Sequence, residues 1–123
     1  MNACFYCARP MFETPCAPPG FLADQKQTRD HIVPKARRMG PIAGNIFQAC
    51  ERCNVARADL SAELYLEFAI GVLRDEPSSP AAATHHAFAA WLLARGLWPD
   101  GRNIPRKARR IAAAAAVMAR AAE

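Results

Sequence analysis

The sequence lacks a hydrophobic segment that could cross a membrane, and it lacks a readable signal peptide. The Ala-rich stretch from Ile111 to Ala122 is too short and too weakly apolar for a bilayer, and Arg120 interrupts it. Residues 1–4 do not form a basic region followed by an apolar stretch. These absences predict a soluble, cytoplasmic protein whose cysteines lie in a reducing compartment.

The chain also lacks the length for two independent cores and a strong excess of charge of one sign. Its 123 residues fit one domain, or a minimal core with an extension, and a core of this size often needs a metal or disulfides. The formal net charge is +5, of which +3 falls in residues 1–60 and +2 in residues 61–123, so the excess looks evenly spread. A modest excess favours an anionic partner, such as nucleic acid or a membrane surface, without requiring one.

Four of the five cysteines form two Cys-x-x-Cys pairs. Cys4 and Cys7 make the first pair, and 42 residues separate it from the second, Cys50 and Cys53. Two such pairs complete the tetrahedral four-thiolate shell of a structural Zn²⁺, which has no open position for a substrate. This zinc is therefore expected to build the fold and not to take part in a reaction. Two disulfides are the alternative, disfavoured by a reducing compartment. The fifth cysteine, Cys16, is expected to be a buried, small apolar side chain.

The first half of the chain predicts a strand, a loop, a second strand and a short helix. Residues 28–33 favour the first strand and 45–49 the returning strand, with a basic, glycine-containing turn between them. Residues 50–57 are predicted to form the helix. A core over residues 1–60 is thus expected, and residues 61–123 are expected to form an extension that packs on it or contacts nucleic acid.

The extension is predicted to be all helical. Apolar residues recur at helical spacing after Ser61, which is a suitable N-cap. Ser79 as N-cap and Pro80 as the first helical residue predict a second helix that ends at Gly96. Pro105 is expected to open a last helix.

A second constellation lies between and beside the cysteine pairs. Asp30 and His31 begin the run Asp-His-Ile-Val-Pro, and Asn45 follows within Gly-Asn-Ile. Asn54 comes directly after the second cysteine pair. In this conjunction, residues 4–59 resemble the HNH endonuclease family, whose signature would here be His31, Asn45 and Asn54. The resemblance implies an α+β fold, in which a small ββα-metal, treble-clef-like core with zinc knuckles is followed by the helical extension.

The residues of this constellation suit the hydrolysis of a phosphodiester bond. A neutral imidazole takes a proton from water near neutral pH, which is the role expected of His31 as general base. The carboxylate of Asp30 and the side-chain oxygen of Asn54 are hard ligands for a catalytic Mg²⁺, or for another divalent ion such as Mn²⁺. The resemblance implies that Asn45 holds the loop that aims His31, and that cleavage leaves a 5′-phosphate and a 3′-hydroxyl.

Basic residues near this constellation are candidates for contacts with a nucleic acid, expected to be double-stranded DNA. Such contacts to phosphates position a duplex and weaken with salt, without reading its sequence. A solvated surface is the alternative for each of them. The candidates are Lys35, Arg37, Arg38 and Arg57, to which Arg9, Arg29 and Arg52 could add.

Four more basic residues crowd the start of the last predicted helix. They are Arg106, Lys107, Arg109 and Arg110. The positive end of the helix dipole disfavours cations there, which suggests a compensating gain outside the chain. We hypothesise that this cluster contacts phosphate or an acidic partner, with a solvated helix face as the alternative.

The sequence therefore predicts a metal-dependent endonuclease, a phosphodiester hydrolase that nicks or cuts DNA. The alternative from another class is a zinc-stapled nucleic-acid-binding or adaptor module whose catalytic centre is idle. A small disulfide-linked protein is the third reading.

Overall fold

The structure is a computed structural model that describes residues 2–31, 46–58, 60–98 and 105–121, with the backbone alone for residues 31 and 46. Within these residues the fold is α+β, as predicted, with two antiparallel strands followed by four helices. Short 3-10 turns lie at Ala23–Gln25 and Leu73–Asp75. The strands are β1 (Gln27–His31) and β2 (Ile46–Cys50), and the helices are α1 (Glu51–Arg57), α2 (Ala62–Gly71), α3 (Ala81–Ala94) and α4 (Arg106–Ala121).

The two strands pair in register from Gln27 opposite Cys50 to His31 opposite Ile46. β1 begins one residue earlier, and β2 ends one residue later, than the sequence predicts. Cys50 both ends β2 and caps α1 with extended backbone angles, so the helix starts one residue after its predicted start. Because no linker separates β2 from α1, the side chains of α1 are held at a constant position relative to the strand pair.

The helix boundaries confirm most of the predicted signals. The hydroxyl of Ser61 accepts a hydrogen bond from the Leu64 amide at 3.3 Å and caps α2. The prediction that Ser79 caps α3 is wrong, because Pro80 is the N-cap and its carbonyl accepts the first helical hydrogen bond, from the Thr84 amide. Gly96, with a φ of +69°, follows the end of α3 as predicted, since a left-handed residue ends a helix at low cost when it has no Cβ.

One apolar core joins the cysteines to the helical half of the chain. Tyr6, from the first cysteine pair, packs its ring against Tyr65 of α2 at 4.9 Å, and Tyr65 packs equally closely against Phe88 of α3. All three rings are fully buried in the cluster that contains the four paired cysteines. The first half of the chain and helices α2 and α3 therefore share this core.

Helix α4 packs on α3 through small residues. Ala108 of α4 is fully buried against Ala89 and Ala90 of α3, and Trp98 and Ala112 border this contact. Beyond this contact, residues 113–121 of α4 are exposed. No described helix is both long enough and apolar enough to span a membrane.

Candidate metal centre and adjoining polar cluster

The first Cys-x-x-Cys pair lies in a tight turn. The Cys4 amide donates to the Arg9 carbonyl at 2.8 Å, and the Ala8 amide donates to the Cys4 carbonyl at 3.0 Å. Ala8 has a φ of 63°, a left-handed conformation that this reversal requires. The Phe5 amide donates to the carbonyl of Gln48, which attaches the turn to β2. These bonds turn the Cys4 and Cys7 side chains into the core.

The second pair spans the start of α1, with Cys50 as its N-cap and Cys53 one turn along. The four sulfur atoms lie within 4.8 Å of one another, and the sulfurs of Cys7 and Cys50 are 3.7 Å apart. Zinc–sulfur bonds of about 2.3 Å in a tetrahedron place neighbouring sulfurs about 3.8 Å apart. The four cysteines are buried and free of disulfides. Their geometry fits a four-thiolate metal site, consistent with the predicted structural zinc.

The electrostatics of the cluster also favour a cation. Hydrogen bonding, first with Cys4 and then with Cys53, lowers the pKa of Cys50 to about 6, and the pKa of Cys7 is lowered mainly by Cys4. The pKa of Cys53 is raised, first by its hydrogen bond with Cys4, and the pKa of Cys4 is raised, first by Cys50. Four neighbouring thiols thus do not all ionise on their own. A divalent ion bound between them would supply the positive charge that keeps all four as thiolates.

Two buried arginines adjoin the cluster and match the charge of such a centre. Arg9 donates from Nη2 to the sulfur of Cys50 at 3.4 Å and pairs with Asp24 at 3.3 Å. Burial alone lowers the pKa of Arg9, but the neighbouring sulfurs raise it above its usual value. Arg52 is fully buried, and its Nε and Nη2 have no hydrogen-bond partner within the described residues. Zn²⁺ with four thiolates carries a charge of about −2, which compensates two guanidinium groups.

The same arginines hold the linker between α2 and α3. Both donate from Nη1 to the carbonyl of Pro77, and Arg52 also donates to the carbonyl of Ser79. Arg9, which follows the first cysteine pair, and Arg52, which lies inside the second pair, are thereby both joined to the linker. This connection ties the position of α3 to the cysteine cluster.

Replacing Arg52 with methionine is expected to lower the free energy of unfolding by about 1–3 kcal/mol, because the carbonyls of Pro77 and Ser79 each lose a bond from a charged donor. Urea unfolding followed by circular dichroism measures the loss. Arg120→Met, at the exposed far end of α4, is the matched control and should change the value by less than about 0.5 kcal/mol. Zinc content should stay at the parent value in both variants. An Arg52 variant as stable as the control would contradict this role.

A buried polar cluster lies on the side of β1 that faces α1. The hydroxyl of Tyr6 donates to one carboxylate oxygen of Asp30, and Nη2 of Arg57 pairs with the other at 2.9 Å. Nη1 of Arg57 donates to the carbonyl of Leu60 at 2.7 Å. Burial, and then the bond to Asp30, raise the pKa of Tyr6. The side chains of Asp30 and Arg57 are each only 2% exposed, so the ion pair is part of the core.

Asn54 is held by the same strand. Its amide nitrogen donates to the Thr28 hydroxyl at 3.0 Å and to the Arg29 carbonyl at 3.3 Å. Asn54 and Arg57 are one turn apart on α1, and both contact β1, one through Thr28 and the other through Asp30. The structure thus brings three of the predicted site residues, Asp30, Asn54 and Arg57, to the contact between α1 and β1.

The other predicted site residues lie outside the described part of the chain. This applies to the side chain of His31, to Asn45, and to Lys35, Arg37 and Arg38. Their predicted roles in catalysis and in phosphate binding stay predictions. The role predicted for Arg57 in nucleic-acid binding also stays a prediction, and the structure holds this side chain inside the protein.

Sequence reasoning missed the structural partners of the cysteines and of Asp30. The sequence offers Arg9 and Arg52 as additional candidates for phosphate contacts, and the structure buries both. Cys16 was expected to be buried, and it is exposed in the Pro-rich segment outside the cluster. A place inside a Cys-x-x-Cys pair is not by itself a signal of burial, because Tyr6 and Arg52 are buried whereas Phe5 and Glu51, the other residue inside each pair, are exposed.

No protein-family model, curated protein or solved structure matches this chain. A functional assignment therefore depends on its own residues.

Proposed function

We propose that this chain is an HNH-type endonuclease that hydrolyses phosphodiester bonds of DNA with a divalent metal ion. The contact between α1 and β1 supports the proposal. The strand pair leads directly into α1, and Asn54 of α1 and Asp30 of β1 both lie at the interface between these elements. Two side chains that carry oxygen ligands are thus supplied from two elements in contact, of which α1 also carries Cys53 of the four-cysteine cluster.

In this proposal Asp30 and Asn54 would hold a catalytic Mg²⁺ or Mn²⁺. The bound ion would withdraw charge from the phosphate oxygens. A carboxylate has about four acceptor positions, and Tyr6 and Arg57 take two of those on Asp30, so this oxygen donor fits a hard ion. His31 would take the proton from the attacking water, and Asn45 would keep the His31 loop in place.

The four-cysteine cluster would have no part in the chemistry. Its four buried sulfurs would complete the shell of a zinc ion, which leaves no position for water or substrate. Its contribution is to connect the first cysteine turn with the start of α1, the helix that carries Asn54. The two metals thus have separate roles, zinc in the fold and the hard divalent ion in cleavage.

A second candidate function is a zinc-stapled nucleic-acid-binding module without activity. The observation that favours it is the burial of Asp30, whose two oxygens are bonded to Tyr6 and Arg57. A carboxylate that is 2% exposed is part of the core, whereas a metal ligand must be accessible to the ion. The two functions differ in one measurable property, which is cleavage.

Plasmid nicking tests the proposed function. The parent protein with Mg²⁺ or Mn²⁺ is expected to convert supercoiled plasmid to the open-circular or linear form. His31→Ala is expected to lower the rate by more than about 100-fold, since general-base catalysis contributes about that much or more. His86→Ala on α3 is the matched control and should cut at the parent rate.

Two outcomes would overturn the nuclease proposal. One is a parent protein with bound zinc that leaves the plasmid intact at every divalent ion tested, which would favour the inactive module. The other is a His31→Ala variant that cuts as fast as the parent, which would assign the activity to a contaminant or to another site.

A further inference from the structure

The densest excess of positive charge in the chain lies in one helix. The two halves of the chain share the excess of positive charge almost equally, but the structural elements do not. Residues 106–121, which form α4, contain five basic residues and no acidic residue. The rest of the chain has 11 basic and 11 acidic residues, because 16 minus 5 leaves 11. The charge of α4 thus equals the net charge of the chain, because the +3 of residues 1–60 is offset by −2 in residues 61–104 and −1 at Glu123.

Four of these five charges cover the outward side of the first two turns of α4. Ala108 marks the inward side, because it is fully buried against α3. At about 100° per residue, Arg106 and Arg110 lie almost opposite Ala108, and Lys107 and Arg109 lie on either flank. All four side chains are exposed, and no ion pair joins them to a carboxylate of the described residues.

This arrangement is unfavourable for the isolated chain. Four cations repel one another and also oppose the positive end of the helix dipole, since the first turn of α4 has no acidic residue. Ala108 anchors the helix to Ala89 and Ala90 with small side chains, so the charges are presented on a firmly packed element. The observations indicate a surface whose charge is compensated by a partner.

We propose that this surface, the α4 basic face (Arg106, Lys107, Arg109 and Arg110), binds the phosphate backbone of double-stranded DNA without reading its sequence. It would be a second contact surface, separate from the α1–β1 site. Because DNA binding by this surface does not require cleavage, the binding proposal does not depend on the nuclease proposal.

The composition of the face favours a nucleic acid over an acidic protein. Three of its four cations are arginines, whose planar fork of donors matches phosphate oxygens in pairs. The face has no aromatic side chain, whereas protein interfaces usually centre on aromatic anchors. Regular helical spacing of cations suits the repeated charges of a backbone, and contacts to phosphates need no shape-specific pocket.

The test is the binding of a short fluorescent DNA duplex, measured by anisotropy at several salt concentrations without added divalent ion. The variant is Arg106→Gln with Arg110→Gln, and glutamine keeps the helix propensity. If each side chain neutralises one phosphate, the slope of log K against log salt falls by about 2, and affinity near 0.1 M salt falls roughly 60-fold. Circular dichroism and zinc content should match the parent.

The matched control removes the same charge elsewhere, through Lys26→Gln with Arg120→Gln, both exposed. It should retain the parent slope and affinity to within a few-fold. An equal loss in the two variants would show a general charge effect and overturn the proposal. Parent-like binding by the α4 variant would overturn the proposal as well. So would tighter binding of the parent protein to a glutamate-rich peptide of equal charge than to the duplex, and this result would favour an acidic protein partner.

Discussion

A chain with Cys53 replaced by serine is expected to contain no zinc and to lose its cooperative unfolding transition. Cys53 is fully buried at the centre of the shared core, and its sulfur lies within 4.8 Å of the other three. Zinc binding to such sites releases about 10–16 kcal/mol, which equals or exceeds the whole stability of a typical domain of about 5–15 kcal/mol. Removal of one thiolate should therefore unfold the chain, not merely weaken it.

Metal analysis together with thermal unfolding measures this result. The parent should contain one zinc per chain, and a denatured sample should titrate all five thiols of the sequence. Cys16→Ser is the control, since Cys16 is exposed and outside the cluster. It should keep the zinc and the melting temperature of the parent. A metal-free parent with one titratable thiol would instead establish two disulfides, and a folded, metal-free Cys53→Ser chain would refute a structural role for the metal.

Replacing Arg57 with methionine is expected to lower the free energy of unfolding by about 3–5 kcal/mol. The substitution leaves the Asp30 carboxylate buried without its cation, and an uncompensated buried charge is costly. Most of this loss should be recovered when Asp30→Asn is added, because the pair is then neutral and the asparagine still bonds to Tyr6. A double-mutant cycle in urea should give a coupling energy of at least about 2 kcal/mol.

Arg29→Met is the control, because Arg29 is the exposed neighbour of Asp30 in β1. This substitution should change the free energy of unfolding by less than about 0.5 kcal/mol. A coupling energy near zero would contradict the importance of the buried pair. The double variant also tests the proposed role of Asp30 as a metal ligand. If Asp30 binds the catalytic ion, the refolded double variant should not nick plasmid, and an active double variant would remove Asp30 from the list of ligands.

The parts of this protein that were predictable from sequence are those with local causes. The cysteine pairs have two residues between their thiols because a tight turn needs that spacing. Ser61 caps α2 because its hydroxyl reaches an amide three residues away. The α+β class followed from short segments that favour strands before a change to helical periodicity. In each case, the determining atoms lie within a few residues of one another.

The parts that sequence did not predict depend on partners far along the chain. Arg52 is buried because it bonds to carbonyls 25 and 27 residues away, and no local pattern distinguishes it from a surface arginine. Arg57 follows Asn54 by three residues, a spacing that predicts a contact with a phosphate of a nucleic acid. The same spacing lets Arg57 pair with Asp30. A helix face that points to a ligand and one that points to a core carboxylate have the same periodicity.

The distribution of charge could have been found from the sequence and was obscured by the division at residue 60. Counting by half combines the acid-free stretch 105–121, with a charge of +5, with residues 61–104, whose charge is −2. Charged surfaces coincide with structural elements, and only the boundaries of α4 separate its charge from that of the preceding residues. The location of a charge excess is therefore more informative than its sum.

The position of Cys50 at the junction of β2 and α1 has a topological consequence. A metal bound to Cys4 and Cys50 closes the intervening chain into a ring, and the exposed residues 13–17 lie on that ring. A single proteolytic cut there would open the ring without separating the halves, because the metal still bridges both sides. The protein would then persist as two fragments that migrate together until a chelator removes the ion, so backbone continuity in this segment is dispensable for holding the molecule together.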